Sequence, residues 1–407
     1  MIERPRGTRD FLPDEMEKRR AVEAVMRRIA ESYGYREVLT PTFEHAELFK
    51  IKSGEEIVKE MYVFKDKGGR ELALRPELTA PVMRMFVECC EVMPKPLRFY
   101  YFANCFRYER PQKGRYREFW QFGVELIGSD SPLADAEVIM LASDILRELR
   151  VDFELEIGHV GIMRKVLSGV ANAERLMRLI DKRDVEALEA EMESLQVPAD
   201  VRRKVFELME LRGDASVLEA VEFEEAKRLA KIGEILDAAG VDYEFNLGIA
   251  RGLDYYTGVV FEAYAEGLGA QKQICGGGSY ELASLFGGSR TPAVGFAIGF
   301  DRVCEICDIE PRKNERIVVV SFDETRVEAL TVARKLRQAG FVAITDVMER
   351  SVKRQLSYAN DIGASFAVIL GKRELDKRSV VVKDLRSGEQ REIPVDGLTS
   401  FLSRKTG

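Results

Sequence analysis

The segment from Arg251 to Glu262, RGLDYYTGVVFE, carries charged and hydroxyl side chains that could bind a polar ligand. Arg251, Asp254, Tyr255 and Tyr256 stand between apolar stretches, where a packed core would hold neither charges nor hydroxyls. Burying an arginine without a partner is costly, so an anionic or zwitterionic ligand is expected beside it. The segment therefore predicts one wall of a polar substrate pocket. The alternative is a structural ion pair at the end of a strand.

Two further arginines, Arg107 and Arg302, stand in separate segments and could join Arg251 around a nucleotide phosphate. Arg302 falls just inside a predicted helix start after Gly295 and Gly299, where the helix dipole and the guanidinium would both favour an anion. The three arginines together indicate a nucleotide site. Taken alone, the GxxxGxDR pattern fits equally a helix packed on a strand with an exposed arginine.

Glu77 and Thr79 belong to the segment RPELT, which follows the apolar run ELAL. If that run is a strand ending at the same cavity, Glu77 could pair with an ammonium group. Alternatively, Thr79 or Glu77 could cap the helix predicted for TAPVMRMFVECC.

Several familiar motifs do not occur in the sequence. It has no Walker lysine loop, no GxGxxG after a strand and no kinase motif, which excludes the common nucleotide folds and most hydrolases. The two histidines, His45 and His159, lack a paired carboxylate or serine, so both are interpreted as structural. The six cysteines do not have the spacing of a disulfide framework or a zinc site, and reduced, mostly buried thiols are predicted.

A long antiparallel hairpin is predicted from Pro96 to Gly128, because the pattern has period two on both sides of the polar loop RPQKGR. The apolar face of its second arm comprises Trp120, Phe122, Val124 and Leu126. The opposite face comprises Gln121, Gly123 and Glu125. Arg107 and Glu109 are two residues apart in the first arm and so point to the same face of it. One face of the hairpin could therefore present a basic group, an amide and two carboxylates together. That face is predicted to form a site.

The remaining elements complete a fold of the α+β class. A helix over 14–33 is followed by the strand-like YREVLTPTFE, and the segment TPAVGFAIGFDRVCEIC reads as a strand running into a helix. Residues 161–239 have helical periodicity, whereas the pattern after the linker PRKNE alternates strands and helices and ends on a strand. We expect a core at 1–160 and 240–311, a helical insertion at 161–239 and a separate α/β domain at 316–407.

Composition and charge agree with a multidomain globular protein. The 407 residues are too many for one core, and the net charge is −7. From Arg312 to Gly407 there are nineteen Lys and Arg against thirteen Asp and Glu, or +6, which leaves −13 for residues 1–311. A basic C-terminal module thus follows an acidic body. The sequence has no apolar run of membrane-spanning length and no secretory signal, so a cytoplasmic location is expected.

In order and spacing, the motifs resemble those of the class II aminoacyl-tRNA synthetases, and among them the histidyl-tRNA synthetases, over nearly the whole chain. The resemblance is carried by RGTRDFLP, RPELT, the motif 2 hairpin FRYERPQKGRYREFWQFGVE, RGLDYYTG, GGGSY and the motif 3 segment VGFAIGFDR. RGLDYYTG is the histidine-specific signature. One departure is Trp120, where the family usually has histidine; because it falls on the apolar face, little effect on catalysis is expected.

The resemblance implies a catalytic domain built on an antiparallel sheet, with a helical insertion, and a C-terminal α/β anticodon-binding domain. Motif 1, including Pro41, would contribute to a homodimer interface. The implied histidine-binding residues are Glu77, Thr79, Gln121, Glu125, Tyr255, Tyr256 and Tyr280. The implied ATP-binding residues are Arg107, Glu109, Arg115, Arg251 and Arg302, with Arg107 and Arg251 catalytic.

The implied reaction is attack of the histidine carboxylate on the α-phosphorus of ATP, followed by transfer of histidine to tRNA(His). No enzyme nucleophile is needed, and Mg²⁺ would accompany ATP. The implied acceptor-end contacts are Arg110, Gln112 and Lys113. The basic C-terminal module would read the anticodon, with Arg350, Lys353 and Arg354 as candidates; a solvated helix face explains these three equally well.

Two other functions compete with this one. The synthetase-like regulatory subunit of ATP phosphoribosyltransferase in histidine biosynthesis resembles the catalytic body but lacks the anticodon-binding domain that this chain is predicted to have. A synthetase for proline, threonine or glycine would carry a similar C-terminal domain but not RGLDYYTG.

Overall fold

The computed structural model describes residues 2–51, 58–110, 115–249, 255–269, 272–311 and 315–406. They form two compact units, Met1–Pro311 and Arg312–Gly407. Within the described ranges, no helix has the length and apolar character needed to cross a membrane.

The first unit opens with a long helix and alternates strands and helices as far as the helical segment. Its first elements are α1 (Pro13–Ser32), β1 (Arg36–Glu37), β2 (Phe43–His45), α2 (Ala46–Lys50), β3 (Val63–Lys65), β4 (Glu71–Leu74), α3 (Thr79–Met85), β5 (Leu97–Phe106), β6 (Glu118–Ile127), α4 (Pro132–Glu148) and β7 (Glu154–His159). The elements that follow are α5 (Val160–Val166), α6 (Ala173–Asp181), α7 (Val185–Ser194), α8 (Ala199–Glu210), β8 (Arg212–Gly213), α9 (Glu224–Ala239), β9 (Glu244–Asn246), β10 (Tyr256–Tyr264), β11 (Gln273–Tyr280), β12 (Ala293–Gly299) and α10 (Phe300–Ile306).

A nine-stranded mixed sheet forms the centre of this unit, in the order β1-β5-β6-β12-β11-β10-β7-β9-β8. The run from β5 to β7 through β6, β12, β11 and β10 is antiparallel, whereas the edge strand β1 is parallel to β5. The predicted hairpin is confirmed as β5 and β6, paired over ten residues each. Phe122 and Val124 on its apolar face are completely buried.

The strand-like segment around Pro41 divides into two short strands in different sheets. β1 joins the large sheet, whereas β2 pairs with β4 in a three-stranded sheet of order β2-β4-β3. Pro41 lies between them, and its ring provides no N–H for a ladder. The buried Arg75 occupies the break, where its Nη1 donates to the carbonyls of Thr40 (2.9 Å) and Pro41 (3.3 Å). The strand-like segment predicted from the sequence is thus interrupted at Pro41.

Helix α1 shows how local signals and packing act together. Pro13 stands at its first turn, where the missing N–H costs nothing, and the first turn is acidic. Val22, Met26 and Ala30, spaced by four residues, are completely buried against the sheet. The chain leaves the helix through Gly34, whose φ of +82° favours glycine.

Helices α5 to α9 occupy the segment predicted to be helical, with α9 packed against α4. Arg228 of α9 donates to the buried Asp135 of α4 at 2.7 Å. Apolar residues of these helices belong to the same core cluster as the sheet. His159, just before α5, accepts a hydrogen bond at Nδ1 from the Gly161 N–H (3.0 Å), in agreement with a structural role.

The second unit is a five-stranded mixed sheet with helices, as the alternating pattern predicted. Its elements are β13 (Arg316–Ser321), α11 (Arg326–Gln338), β14 (Val342–Thr345), α12 (Val352–Asp361), β15 (Phe366–Leu370), α13 (Lys372–Asp376), β16 (Ser379–Asp384), β17 (Gln390–Pro394) and α14 (Leu398–Thr406). The sheet order is β14-β13-β15-β16-β17. The terminal helix α14 was not predicted; its Leu398 and Leu402 pack into the core. The two units together confirm the α+β class.

Candidate active site

One face of the large sheet presents polar side chains at buried positions. In β5 and β6 this face includes Tyr101, Gln121 and Glu125, which share the parity predicted from the sequence. The register carries the face across neighbouring strands, since Glu125 lies opposite Gly295 of β12 and Ala293 lies opposite Tyr280 of β11. Arg107 and Glu109 continue it beyond the end of β5.

Glu125 is the most deeply buried carboxylate of this face, with 1% of its surface exposed. It accepts hydrogen bonds from the Tyr280 hydroxyl (2.6 Å) and the Tyr101 hydroxyl (3.2 Å). The Thr79 hydroxyl also bonds to it. Burial nevertheless raises the pKa of Glu125 to about 8, with a further contribution from the charge of Glu77. A cationic ligand would offset this penalty.

Glu77 is the second buried carboxylate and stands two residues before helix α3. Its Oε2 accepts from the Thr79 N–H at 2.6 Å, and its Oε1 accepts from the Ala80 N–H at 3.1 Å. Glu77 therefore caps the helix, whereas Thr79 is its first residue, with a hydroxyl close to both Glu77 and Glu125. Burial raises the pKa of Glu77 to about 7, although the hydrogen bonds from the helix N–H groups and the charge of Arg107 act to lower it.

The three tyrosines form an aromatic wall beside these carboxylates. Tyr255 lies 4.7 Å from Tyr256 and 5.6 Å from Tyr280 between ring centroids. The Thr79 hydroxyl also reaches Tyr255, and the charges of Glu77 and Glu125 act on that phenol. The structure thus brings five of the predicted pocket residues together: Glu77, Thr79, Glu125, Tyr255 and Tyr280. Tyr256 adjoins them through Tyr255.

Gln121 lies on the same face of β6, towards the other end of the strand. Its Oε1 accepts from the Cys105 thiol at 3.3 Å, and it is paired in register with Gly299. Gln121 therefore stands between the carboxylate pocket and the helix that carries Arg302. Burial raises the pKa of Cys105 to about 12, so this thiol stays protonated. All six cysteines are reduced thiols: Cys105, Cys275 and Cys307 are buried, Cys90 and Cys304 are partly buried, and Cys89 is exposed.

A group of charged side chains adjoins the pocket at the open end of the hairpin. Arg107 donates from Nε to the Pro76 carbonyl (2.9 Å) and lies 5.2 Å from the centre of the Phe119 ring. Glu109 is 3.9 Å from Arg107 and 3.2 Å from Arg115. Burial and the charges of Arg115 and Arg107 lower the pKa of Arg302. Such clustered positive charge fits a polyanionic ligand.

The position of Arg302 is set by its own hydrogen bond and by the contacts of the residue before it. Its Nη1 donates to the Gln273 carbonyl at 2.6 Å, so the side chain lies along β11 instead of projecting from α10. The preceding residue, Asp301, accepts from Arg19 of α1 (2.6 Å) and from the Trp120 backbone N–H (2.6 Å). This buried ion pair sets the start of α10 against α1 and the hairpin.

Two residues of the pocket were missed by sequence reasoning. Tyr101 donates to Glu125, and its parity in β5 could have identified it. Gly295 lies so close beneath Glu125 that a Cβ at this position would be 1.9 Å from Oε2 and 2.3 Å from the Val124 carbonyl. No local pattern distinguishes this glycine from the others in the segment.

Some predicted residues lie outside the described part of the chain: Arg251, Asp254, Gln112 and Lys113. Arg110 is described and exposed. In the second unit Arg350 is engaged internally, because it pairs with Asp346 (2.5 Å) and lies 4.3 Å from the Tyr358 ring centre. Lys353 and Arg354 are exposed on α12. Within the described ranges, no cluster of three or more His, Cys, Asp or Glu side chains is placed to hold a metal ion.

The raised pKa of Glu125 predicts a pH dependence of stability. The folded protein keeps a proton that the unfolded chain releases near the ordinary pKa of 4.5, so the free energy of unfolding falls as the pH rises from there to about 8. Glu125→Gln should remove the contribution of one proton, about 1.4 kcal/mol per pH unit, and leave that of Glu77, whose pKa is raised to about 7. Urea unfolding of both proteins across this window measures it. Parallel pH curves for the two proteins would contradict a protonated Glu125.

The antiparallel sheet, its polar hairpin face and the strand–helix unit that carries Arg302 form the catalytic architecture of a class II aminoacyl-tRNA synthetase. The histidyl-tRNA synthetase family matches residues 7–303, and the anticodon-binding domain family matches residues 316–405. The chain therefore belongs to the histidyl-tRNA synthetase family.

Individual relatives agree over their full length. A histidine–tRNA ligase of Archaeoglobus fulgidus is 62% identical over 411 residues, which cover 98% of this chain and 99% of that protein. One of Methanosarcina acetivorans is 50% identical over 414 residues, covering 99% and 98%. The crystal structure of histidyl-tRNA synthetase from Nostoc sp. PCC 7120 superposes with a TM-score of 0.81 at 26% identity, covering 100% of this chain and 99% of that one.

Proposed function

We propose that this protein is a histidine–tRNA ligase. It activates L-histidine with ATP to histidyl-adenylate and pyrophosphate, and then transfers histidine to the 3′ end of tRNA(His). The observation that carries this proposal is the pair of buried carboxylates, Glu77 and Glu125, enclosed by tyrosines and adjoining the arginine group. The pair suits a cationic amino acid, and the arginines suit its carboxylate and a triphosphate.

Histidine would be held by Glu77, Thr79, Gln121, Glu125, Tyr255, Tyr256 and Tyr280. Burial raises the pKa values of both carboxylates, because it disfavours their charged forms. The ammonium and imidazole groups of histidine would supply that compensation. A site built on hydrogen bonds to a particular polar group discriminates strongly against analogues that lack it. Proline, threonine and glycine offer no second nitrogen group to this pair.

ATP would be bound by Arg107, Glu109, Arg115, Arg251 and Arg302. Arg107 and Arg251 act on the α-phosphate and the histidine carboxylate, so that the carboxylate oxygen attacks phosphorus in line and pyrophosphate leaves. Positioning and charge stabilisation provide the catalysis, and no covalent enzyme intermediate is formed. Mg²⁺ would enter with the ATP phosphates, whose oxygens are its preferred ligands.

The second half-reaction needs tRNA at two places. Arg110, Gln112 and Lys113 would approach the acceptor end, and the 316–407 domain would read the anticodon. Of the three candidates on this domain, Lys353 and Arg354 are exposed and suited to RNA, whereas the internal contacts of Arg350 favour a structural role. The catalytic body would comprise 1–160 and 240–311, with 161–239 as its insertion, in a cytoplasmic enzyme.

Amino-acid-dependent ATP–pyrophosphate exchange tests the activity, with histidine, proline, threonine and glycine in separate reactions. Exchange with histidine alone is the expected result. Exchange with one of the other amino acids would assign a different synthetase. No exchange with any of them, from a folded protein that still binds histidine, would favour the regulatory subunit of ATP phosphoribosyltransferase.

The homodimer implied by the family is supported by exposed apolar side chains near the motif 1 segment. Leu39 is 75% exposed and Phe43 is 52% exposed, and the Phe43 ring lies 6.2 Å from that of Phe64. Single exposed apolar residues are ordinary, but a group of them marks an association surface. A second copy would cover these residues.

Phe43→Glu is therefore expected to shift the protein from dimer to monomer, because it places a charge in an apolar interface. Light scattering after size-exclusion chromatography measures the mass. Phe322→Glu, which alters a phenylalanine of the second unit with 42% exposure, is the matched control and should leave the dimer intact. A dimeric Phe43→Glu protein would place the interface elsewhere.

A further inference from the structure

The N-terminal segment Arg6–Phe11, part of the RGTRDFLP motif, packs against the strand that returns from the hairpin loop. The Arg117 N–H donates to the Gly7 carbonyl at 2.8 Å, and the Arg117 guanidinium donates to the Arg6 carbonyl at 3.4 Å. None of the roles assigned above to histidine, ATP or tRNA uses this motif. Its contacts nevertheless lie beside the residues proposed to bind ATP.

Arg9 is the centre of these contacts. Its guanidinium carbon lies 4.6 Å from the Phe11 ring centre and 5.1 Å from that of Tyr116. Its Nη1 donates to the Tyr116 hydroxyl at 3.0 Å, and its Nη2 pairs with Glu15 at 2.5 Å. A planar guanidinium can stack and donate at the same time, which lysine cannot reproduce.

Tyr116 is fixed from the other side as well. Its hydroxyl donates to Glu305 of α10 at 3.3 Å while accepting from Arg9. The hydroxyl thus joins three parts of the chain that are distant in sequence: the N-terminal segment, the hairpin and the motif 3 helix. The ring of Tyr116 is held where these three meet.

The fixed segment leads directly to the phosphate-binding group. Arg115, which precedes Tyr116, lies 3.2 Å from Glu109. Arg117, which follows it, accepts at its carbonyl from the Arg107 N–H at 3.0 Å. The residues on both sides of Tyr116 therefore contact residues proposed to bind ATP, Arg115 through its side chain and Arg117 through its backbone. A shift of Tyr116 would displace Arg115 and would remove its charge from the phosphates.

We propose that Arg9 is a positioning residue for the triphosphate: by clamping Tyr116 between the N-terminal segment and α10, it holds Arg115 where the β- and γ-phosphates of ATP bind. This inference rests on the proposed ATP-dependent function. It assigns the RGTRDFLP motif a role in binding the phosphate tail, separate from the histidine pocket.

The test is steady-state pyrophosphate exchange with Arg9→Ala at varied ATP and varied histidine. Loss of one partly buried arginine that stacks and donates hydrogen bonds predicts a rise in the KM for ATP of about tenfold. The KM for histidine should stay within about twofold of the wild-type value, and competitive inhibition by AMP, which lacks the phosphate tail, should be unchanged. Arg9→Lys should recover only part of the loss. Exchange by the wild-type protein checks the proposed function independently.

Arg4→Ala is the matched control, since Arg4 lies just before this segment and pairs with Asp10 at the surface, at 3.6 Å with both side chains exposed. Glu305→Gln weakens the far side of the same clamp and serves if Arg9→Ala does not fold. An unchanged KM for ATP in the folded Arg9→Ala protein would overturn the proposal. Equal losses for ATP, AMP and histidine would also overturn it, because they indicate general loosening of the fold.

Discussion

Arg107→Ala is expected to lower kcat/KM for histidine-dependent pyrophosphate exchange by about 10³-fold, the loss typical for removal of one preorganised charge-stabilising group. Arg107 stands between the two parts of the site. Its charge acts on Glu77 in the carboxylate pocket, and its Nη1 lies 3.9 Å from Glu109 in the charged group. In the proposed reaction, a guanidinium at this place would contact the histidine carboxylate and the α-phosphate at once and would stabilise the charge that develops between them.

The geometry around Arg107 also predicts which substitutions will fail. Its Nε bond to the Pro76 carbonyl and its position over Phe119 both require a planar guanidinium, so Arg107→Lys should lose nearly as much activity as alanine. Arg98→Ala is the matched control, because Arg98 lies on the opposite face of β5 from the predicted site and pairs with Glu137 at 2.8 Å. A folded Arg107→Ala protein with kcat/KM within about tenfold of wild type would remove Arg107 from the chemistry.

The second large effect is expected at a residue that contacts no substrate. Gly295→Ala would place a Cβ 1.9 Å from Glu125 Oε2 and 2.3 Å from the Val124 carbonyl. The backbone cannot yield without disturbing the β6–β12 register, so Glu125 must leave its position between Tyr101 and Tyr280. We expect histidine affinity to fall by about 100-fold, the effect of losing a desolvated charge partner. Overpacking should lower the free energy of unfolding by about 1–3 kcal/mol.

Titration calorimetry with histidine and urea unfolding measure these two effects. Gly397→Ala is the control, because its Cβ would meet only Ile393 at 3.9 Å, an ordinary contact. Adding Glu125→Ala to Gly295→Ala should restore part of the stability, since the carboxylate part of the clash disappears, while histidine binding stays lost. Wild-type histidine affinity in the Gly295→Ala protein would show that Glu125 is not part of the pocket.

Side-chain parity explains why much of the site could be predicted. Strand residues alternate between two faces, so a polar set at every second position identifies its face before any fold is known. Gln121 and Glu125 were assigned to the polar face in this way. Arg302 was placed by a different local signal, the predicted helix start, which the structure has at Phe300. These predictions needed only local periodicity and the glycines that precede the helix.

Other features depended on contacts between distant segments. Tyr280 is 155 residues from Glu125 in the chain, yet their side chains are 2.6 Å apart. Thr79 was a candidate cap by type, but the fold gives the cap to Glu77 and turns the Thr79 hydroxyl into the pocket. A capping preference is worth about 1 kcal/mol, which a buried carboxylate in need of donors readily exceeds.

By itself, the sequence determined the α+β class, the hairpin and its polar face, the strand–helix unit of Arg302 and the family resemblance, because each of these is written in residues adjacent along the chain. Only the tertiary structure decided that Glu77 and Glu125 lie close enough for their charges to interact, that Gly295 must lack a side chain and that Arg9 bonds to Tyr116. These features arise where strands and helices from distant segments pack together, and burial there sets both the charges and the space available.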